Sequence, residues 1–258
     1  MVNTGMSLAG RTAVVVGGTT GIGRALALGL AKAGADVVAS ARRESEVDSI
    51  AAEIEVLGRQ TLRQCSDVCD LPSLVDLRDK VLATFGKVDI LVNSAGINKR
   101  APTLDFPEAD WDRIIEINLK GTLRGCQVFG KPMLERSYGR IINIASVSTY
   151  VGLMEVAAYG ASKAAVGSLT KSLSVEWSRH GVNVNAIAPG FFKTALTAKL
   201  LENTPRGDEV KIRTPIGRFG QVEELEGACV FLASDAASFV TGEILTVDGG
   251  FLSSGVNQ

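Results

Sequence analysis

Tyr159 and Lys163 are the two residues whose types and spacing suggest chemistry most directly. They lie four positions apart, so both side chains share one face of a helix. A free tyrosine has a pKa of about 10, and acid–base work near neutral pH needs a shift of up to roughly 3 units. A neighbouring ammonium group favours the phenolate and should lower that pKa. The spacing alone is common on helices, so these two residues only suggest a proton-transfer site.

Ser146 is a third candidate because it directly follows a predicted strand, Arg140 to Ala145. Ligands of open α/β sheets bind at the carboxyl ends of the strands. A serine hydroxyl at that edge can donate a hydrogen bond to a reacting oxygen, or accept one from it. The sequence therefore predicts that Ser146 lies near the tyrosine and the lysine.

A glycine-rich turn, residues 17–23, joins the first predicted strand to the first predicted helix. Its spacing is G-x-x-x-G-x-G, with Gly17, Gly21 and Gly23 as the fixed glycines. Such a turn lets backbone N–H groups approach a pyrophosphate at a helix N-terminus. On spacing alone, a tight strand-to-helix connection without a ligand stays open.

The end of the second predicted strand indicates which nicotinamide cofactor is used. Proteins that select NAD(H) tend to carry an acid there, about 20 residues after the glycine turn. Here the strand ends Ser40-Ala41-Arg42-Arg43, with no acid. Because a guanidinium group suits a 2′-phosphate, the sequence favours NADP(H), with NAD(H) as the alternative. Two solvated arginines at the start of a helix would look the same.

The elements that position these residues alternate between strand and helix. Strands are predicted at residues 12–16, 37–41, 61–65, 88–92, 140–145, 182–187 and 243–247, and helices at 22–33, 44–57, 72–85, 111–134, 159–177 and 222–232. This alternation predicts an α/β fold: one doubly wound Rossmann-type domain over residues 1–258, with a parallel sheet of about seven strands and helices on both faces. Residues 191–216, which mix polar residues, proline and glycine, are predicted to be a substrate lid.

Composition excludes several classes of protein. The chain has 258 residues, of which 27 are basic and 28 acidic, and this near balance argues against nucleic-acid or anionic-membrane partners. The four cysteines and one histidine do not form a zinc-binding pattern, so no metal is expected. The N-terminus lacks the apolar stretch of a signal peptide and no long apolar run follows, which predicts a cytoplasmic protein. The 28 glycines exceed the usual share and require structural reasons.

A set of motifs in fixed order covers the chain from about Leu8 to Phe251. They are the glycine turn, Asp67-Val68, Asn93-Ser94-Ala95-Gly96, Asn118, Ser146, Tyr159-Gly160-Ala161-Ser162-Lys163, Asn185-Ala186-Ile187-Ala188-Pro189-Gly190 and Val247-Asp248-Gly249-Gly250. In this order the chain resembles the short-chain dehydrogenase/reductase family. The resemblance implies an NAD(P)-dependent enzyme that interconverts a secondary alcohol and a ketone.

The resemblance also implies a role for each of four catalytic residues. Tyr159 would protonate the carbonyl oxygen or deprotonate the alcohol. Lys163 would lower the phenol pKa and hold the nicotinamide ribose. Ser146 would bond the reacting oxygen, and Asn118 would support a proton-relay water. All four are present in this sequence.

Cofactor contacts are carried over in the same way. The implied set is Gly17, Thr19, Thr20, Gly21 and Ile22 at the turn, Arg42 at the phosphate, Asp67 and Val68 at the adenine, Asn93, Ala95 and Gly96 on the ribose side, and Pro189, Gly190, Phe192 and Thr194 at the nicotinamide end, with Tyr159 and Lys163. Three positions depart from the family pattern. Val16 replaces a threonine, Ser94 replaces an asparagine, and Phe192 stands where isoleucine or valine is usual.

The substrate is indicated less directly. Residues 97–102 and the C-terminal end resemble the gluconate 5-dehydrogenase branch of the family, which implies a sugar acid or related polyol. Arg100 is a candidate for clamping a carboxylate and Glu155 for accepting substrate hydroxyls, although Arg100 as a solvated loop charge is an equal alternative. The main competing enzyme is a 3-oxoacyl-[acyl-carrier-protein] reductase, for which Arg113, Lys120 and Arg124 would offer a basic surface.

Two further questions are whether the protein is an enzyme at all and which oligomer it forms. A non-catalytic nucleotide-sensing module could use the same fold, because fold does not fix function. The complete set of four catalytic residues favours an enzyme over such a sensor. The resemblance implies a homotetramer, with a dimer as the second possibility.

Overall fold

The computed structural model describes residues 5–194, 201 and 203–255. Its centre is a parallel sheet of six strands in the order β2-β1-β3-β4-β5-β6. The strands are β1 (Thr12–Val16), β2 (Asp36–Ser40), β3 (Ile90–Asn93), β4 (Gly139–Ile144), β5 (Val182–Pro189) and β6 (Ile244–Val247). The predicted parallel α/β sheet is therefore confirmed.

Helices follow most of the strands, as the parallel crossovers require. They are α1 (Gly21–Lys32), α2 (Glu44–Val56), α3 (Leu71–Phe85), α4 (Glu108–Ile115), α5 (Gly121–Glu135), α6 (Ala157–Trp177), α7 (Pro205–Arg213) and α8 (Glu226–Ala233). The predicted helix at 111–134 is α4 and α5, joined by a π-helical turn, Glu116–Lys120. Helix α7 lies within the predicted lid, in which residues 195–200 and 202 lie outside the described residues.

Two apolar layers hold helices against the two faces of the sheet. In β1, Ala13 and Val15 join a cluster with residues of α1 and α8. Their neighbours Val14 and Val16 join the opposite cluster, with residues of α3, α5 and α6. Because successive residues of a strand point to opposite faces, a run of apolar residues suits a strand covered on both sides.

The strand predicted at residues 61–65 is wrong. The segment runs beside β2 but forms no ladder; the backbone bonds to β2 and its end are Val37 N to the Gln60 carbonyl (3.1 Å) and Ser66 N to the Ala41 carbonyl (3.0 Å). Between these bonds, the Ser40 hydroxyl donates to the Gln64 carbonyl (2.5 Å). A side chain thus takes the place of a backbone donor, so the sheet has six strands rather than about seven.

A crevice opens where the strand order reverses, between the carboxyl ends of β1 and β3. The turn after β1 and the loop after β3 touch there, since a Cβ added to Gly17 would lie 2.5 Å from the Ala95 nitrogen. Ligands of doubly wound sheets bind at this kind of reversal. Within the part of the chain that the structure describes, no helix is long and apolar enough to cross a membrane.

Candidate active site

Three of the four predicted catalytic side chains meet at the carboxyl edge of the sheet. Ser146 follows β4, and its oxygen accepts a hydrogen bond from the Ser148 backbone N–H at 3.2 Å. Tyr159 and Lys163 lie one turn apart in α6, with the Lys163 Nζ 5.6 Å from the centre of the Tyr159 ring. Ser146 is also hydrogen-bonded to Tyr159. A substrate oxygen placed here would meet two hydroxyl groups and a nearby ammonium group.

Asn118, the fourth residue, lies in the π-helical turn between α4 and α5. Its Oδ1 accepts from the Ile97 N–H (2.8 Å), and its Nδ2 donates to the Ile97 carbonyl (3.0 Å) and to the Ser162 hydroxyl (3.0 Å). Ser162 in turn donates to the Tyr159 carbonyl at 2.7 Å. Asn118 therefore ties the loop after β3 to the helix that carries the tyrosine; its support of a relay water stays a prediction.

The electrostatics of Tyr159 and Lys163 differ from the expectation. Burial raises the pKa of the Tyr159 phenol, and the hydrogen bond with Ser146 offsets only part of that rise. Burial also lowers the pKa of Lys163 to about 8. The Lys163 Nζ donates to the Ile144 carbonyl at 2.6 Å, and its charge is not among the causes of the shift in the phenol pKa. The expected lowering of the phenol pKa by Lys163 is wrong for the chain's own groups.

The low pKa of Lys163 gives a testable pH dependence of stability. Unfolding returns the pKa of lysine from about 8 to 10.5, so the unfolded state binds more protons between these values. The Lys163 contribution to the free energy of unfolding therefore rises with pH across this window, by roughly 3 kcal/mol. We expect the wild type to gain that amount relative to Lys163→Met in urea unfolding between about pH 7 and 10.5. Parallel pH curves for the two proteins would contradict the shift.

Besides Gly17, two further glycines of the turn at residues 17–23 have no room for a side chain. A Cβ added to Gly23 would lie 2.0 Å from the Gly17 carbonyl oxygen, and one added to Gly18 would lie 2.7 Å from the Val15 carbonyl oxygen. Gly21 has a φ of 53° and faces Thr194, whose Cγ2 would be 3.7 Å from an added Cβ. The exposed N-cap of α1, Thr20, precedes it. The turn and Thr194 thus form two walls of a cradle that suits a pyrophosphate.

The ribose side of the crevice is open near the catalytic residues. A Cβ added to Gly96 would lie 3.4 Å from the Asn118 Oδ1 and 3.6 Å from the Lys163 Nζ. Gly96 itself is exposed, and Ala95 is partly exposed. A ribose lying over Gly96 would therefore be within reach of the lysine ammonium, as the resemblance implies.

Several predicted cofactor residues have side chains that make contacts within the protein. The Asn93 side chain is buried and donates to the Asn143 Oδ1 at 2.9 Å. Val68 is packed against Gly121, and the Phe192 ring against Gly220. The Asp67 carboxylate accepts from the Cys69 N–H at 2.9 Å, so it shapes its own turn. These side chains support the walls of the crevice.

At the predicted site of the 2′-phosphate, Arg42 and Arg43 differ in their contacts. Arg43 forms an ion pair with Glu46 (2.5 Å), and Glu46 also accepts from the Thr19 hydroxyl at 3.1 Å. Arg42 is exposed and has no hydrogen-bond or ion-pair partner among the described residues. Arg42 is thus the guanidinium group free to take a phosphate. The Glu46 contact was not predicted, because Thr19 lies 27 positions away.

The two predicted substrate residues are in contact. The Arg100 Nε lies 2.5 Å from the Glu155 Oε2, and the Ala101 N–H donates to the Glu155 carbonyl at 3.0 Å. Glu155 has a φ of 65°, a left-handed conformation that costs a non-glycine residue about 1–2 kcal/mol. Two contacts with residues 100 and 101 thus fix this conformation one turn before Tyr159.

The sequence and the structure are similar to those of known enzymes. The sequence model of the family described as Enoyl-(Acyl carrier protein) reductase matches residues 16–252. A gluconate 5-dehydrogenase of Gluconobacter oxydans is 41% identical over 244 residues, which cover 95% of each chain. A 2-dehydro-3-deoxy-D-gluconate 5-dehydrogenase of Pseudoalteromonas atlantica is 44% identical over 247 residues, covering 95% of this chain and 97% of the relative.

A solved structure is similar over nearly the whole chain. It is a gluconate 5-dehydrogenase from Burkholderia cenocepacia in complex with NADP and tartrate, with a TM-score of 0.94 and 40% identity. The match covers 98% of this chain and 99% of that one. Fold and sequence therefore point to the same group of enzymes.

Proposed function

Because the chain belongs to the short-chain dehydrogenase/reductase family, we propose that it oxidises a secondary alcohol of a sugar acid to a ketone with NADP, and catalyses the reverse reaction with NADPH. The chain is an oxidoreductase of this family. The observation that carries the proposal is the meeting of Ser146, Tyr159 and Lys163 beside an open cradle of glycines.

The residues of the chain divide the chemistry of the reaction. When bound, the nicotinamide accepts or donates the hydride. The Tyr159 phenol takes the proton of the alcohol, or returns it to the ketone, and the Ser146 hydroxyl bonds the same oxygen and orients it. Lys163 supplies positive charge near the phenol and a donor toward the ribose. Because its pKa is raised, the Tyr159 phenol is protonated near neutral pH, and it can take the proton of the alcohol only when nearby positive charge lowers that pKa.

NADP(H) rather than NAD(H) is proposed as the cofactor, because Arg42 has no partner among the described residues and no acid stands at the end of β2. The cradle of glycines fits a dinucleotide, and solved relatives contain NADP. We expect Arg42→Ala to weaken NADPH binding by roughly 10- to 100-fold, because it removes a charged, bidentate contact, while NADH binding changes little.

Both affinities are measured by titrating the protein into each reduced cofactor and following the change in cofactor fluorescence. Arg43→Ala is the matched control, since Arg43 is already paired with Glu46, and we expect it to have a smaller effect. Equal losses for NADPH and NADH in Arg42→Ala would contradict the phosphate contact.

A sugar acid is favoured over an acyl-carrier-protein substrate by the charges on the surface. Lys120 and Arg124 both pair with Glu116, at 2.9 Å and 2.6 Å. Two of the three cations that would face an acidic carrier thus share one carboxylate within the chain, which leaves less positive charge for the carrier. Arg100, by contrast, lies in the loop that follows the carboxyl end of β3, close to the catalytic residues.

The proposed activity is tested by following NADPH absorbance with gluconate, neutral polyols and a 3-oxoacyl thioester. We expect turnover of gluconate with NADP to exceed that of the other substrates. Activity confined to the thioester would support the reductase alternative, and cofactor binding without turnover of any substrate would support the sensor alternative.

The proposal also covers the domain organisation, the cellular location and the oligomeric state of the protein. We propose that residues 1–258 form one catalytic domain with a lid at about 191–216, and that the protein is a cytoplasmic homotetramer. Apolar side chains at the surface support an assembly: Phe239 is fully exposed and Val175 of α6 is 80% exposed. Sedimentation analysis distinguishes a tetramer from a dimer.

A further inference from the structure

Arg206 is a cation in the first turn of helix α7, where a positive charge is unfavourable. The helix begins at Pro205, and the Thr204 hydroxyl accepts from the Gly207 N–H at 3.0 Å. The helix dipole places partial positive charge at this end, so acidic rather than basic residues are stabilising there. Asp208 of the same turn pairs with Lys211 instead, at 2.8 Å. Glu209 acts on Arg206 but pairs with Arg213 at 3.7 Å, so a further anion would stabilise Arg206 at this position.

The contacts of Arg206 direct it toward the catalytic helix. Its Nη1 donates to the Met154 carbonyl at 3.3 Å. Met154 is adjacent to Glu155, which holds Arg100 at 2.5 Å, and Tyr159 follows four residues later. Arg100 and Arg206 thus converge on one turn, from the loop after β3 and from α7.

The charges in this cluster do not balance. Arg100 and Arg206 both face the Glu155 carboxylate. The Glu209 carboxylate also acts on Arg206, but it is shared with Arg213. Arg206 is half-buried. Burial lowers the pKa of Arg206, and the positive charge of Arg100 lowers it further, which shows that the two cations interact. Among the described residues, one positive charge of this cluster therefore remains without a carboxylate, at the turn that precedes the catalytic helix.

We propose that Arg206 and Arg100 together clamp the carboxylate of the substrate, and that Arg206 makes the enzyme prefer sugar acids to neutral polyols. Glu155 is the positioning residue: it orients Arg100 and leaves the second guanidinium group free to pair with the ligand. This inference rests on the proposed function and assigns its substrate specificity to a residue of α7. A monoanionic sugar acid supplies the single negative charge that the cluster lacks.

The test compares an acid with its neutral counterpart in Arg206→Gln. With saturating NADP, we expect the KM for gluconate to rise by roughly 10- to 100-fold, the loss of one charged hydrogen-bonded contact. We expect kcat to stay within about 3-fold, and kcat/KM for glucitol, which has a CH₂OH group in place of the carboxylate, to change by less than that. Arg206→Lys should recover part of the gluconate affinity, because it restores the charge but not the two parallel hydrogen bonds of a guanidinium group.

Arg213→Gln is the matched control, since Arg213 lies at the other end of α7 and pairs with Glu209 at 3.7 Å. We expect it to leave both substrates unaffected. Equal losses for gluconate and glucitol in Arg206→Gln would mean a merely structural role and would overturn the clamp, as would an unchanged KM for gluconate.

A binding measurement separates the clamp from the proposed reaction. Calorimetric titration of the NADP-loaded enzyme with tartrate, a dicarboxylate, and with threitol, its neutral counterpart, needs no turnover. Tartrate binding that depends on Arg206, in a wild type that does not oxidise gluconate, would support the clamp and refute the proposed substrate. Oxidation of gluconate together with tartrate binding that is unchanged in Arg206→Gln would refute the clamp and leave the proposed function in place.

Discussion

Tyr159→Phe is expected to abolish nearly all turnover while cofactor binding persists. The substitution removes one oxygen from a partly buried side chain that is hydrogen-bonded to Ser146, and it leaves the ring in place. Loss of a general acid–base group lowers kcat by about 100- to 10,000-fold. NADPH affinity, measured by fluorescence, should change by less than about 3-fold, because Tyr159 is only one of many predicted cofactor contacts.

The matched control is Tyr138→Phe. Tyr138 immediately precedes β4, at the opposite edge of the sheet, where its ring lies 4.2 Å from the Arg11 guanidinium carbon. We expect this variant to keep wild-type turnover. If Tyr159→Phe retains near wild-type kcat, or if both variants lose activity equally, Tyr159 is not the proton-transfer group.

Gly23→Ala is expected to disrupt the phosphate cradle. The added Cβ would lie 2.0 Å from the Gly17 carbonyl oxygen and 3.0 Å from the Ser94 hydroxyl. Backbone atoms cannot give way without moving the turn, so we expect a loss of about 1–3 kcal/mol in the free energy of unfolding. Because the turn supplies the N–H donors for the pyrophosphate, NADPH affinity should fall by roughly 100-fold.

Gly227→Ala provides a control of the same type within a helix. Gly227 lies in α8, and an added Cβ there meets nothing within 4 Å. Alanine should stabilise that helix by up to about 1 kcal/mol. Chemical denaturation and fluorescence titration of both variants separate a steric effect at the cradle from the general effect of replacing glycine. Unchanged NADPH affinity in Gly23→Ala would contradict the assignment of the cradle.

The fold could be predicted from the sequence because the strands are short apolar runs bounded by glycines and polar residues. That pattern located β1, β4 and β5, which are buried along their whole length. It failed at residues 61–65, where a side chain bond from Ser40 replaces a ladder bond. It also missed α7, which is short and polar and lies in a segment of mixed composition.

The site could be predicted in its members but not in its electrostatics. Spacing and motif order identified Ser146, Tyr159 and Lys163, which the structure brings together. The phenol pKa is raised rather than lowered because burial, which the sequence does not show, is the largest cause of its shift. Contacts between distant residues, such as Glu46 with Thr19 and Arg206 with Met154, leave no local pattern.

The proposed reaction is tested most directly by identifying its product. Gluconate uniformly labelled with ¹³C is incubated with NADP and the enzyme. We expect a new ketone carbon in the ¹³C spectrum, in an amount equal to the NADPH formed. The same mixture with Tyr159→Phe should give neither product at a comparable rate. A ketone that forms in step with NADPH would support hydride transfer from a sugar acid in this site. NADPH without a ketone, or no reaction while a 3-oxoacyl thioester is reduced, would contradict it.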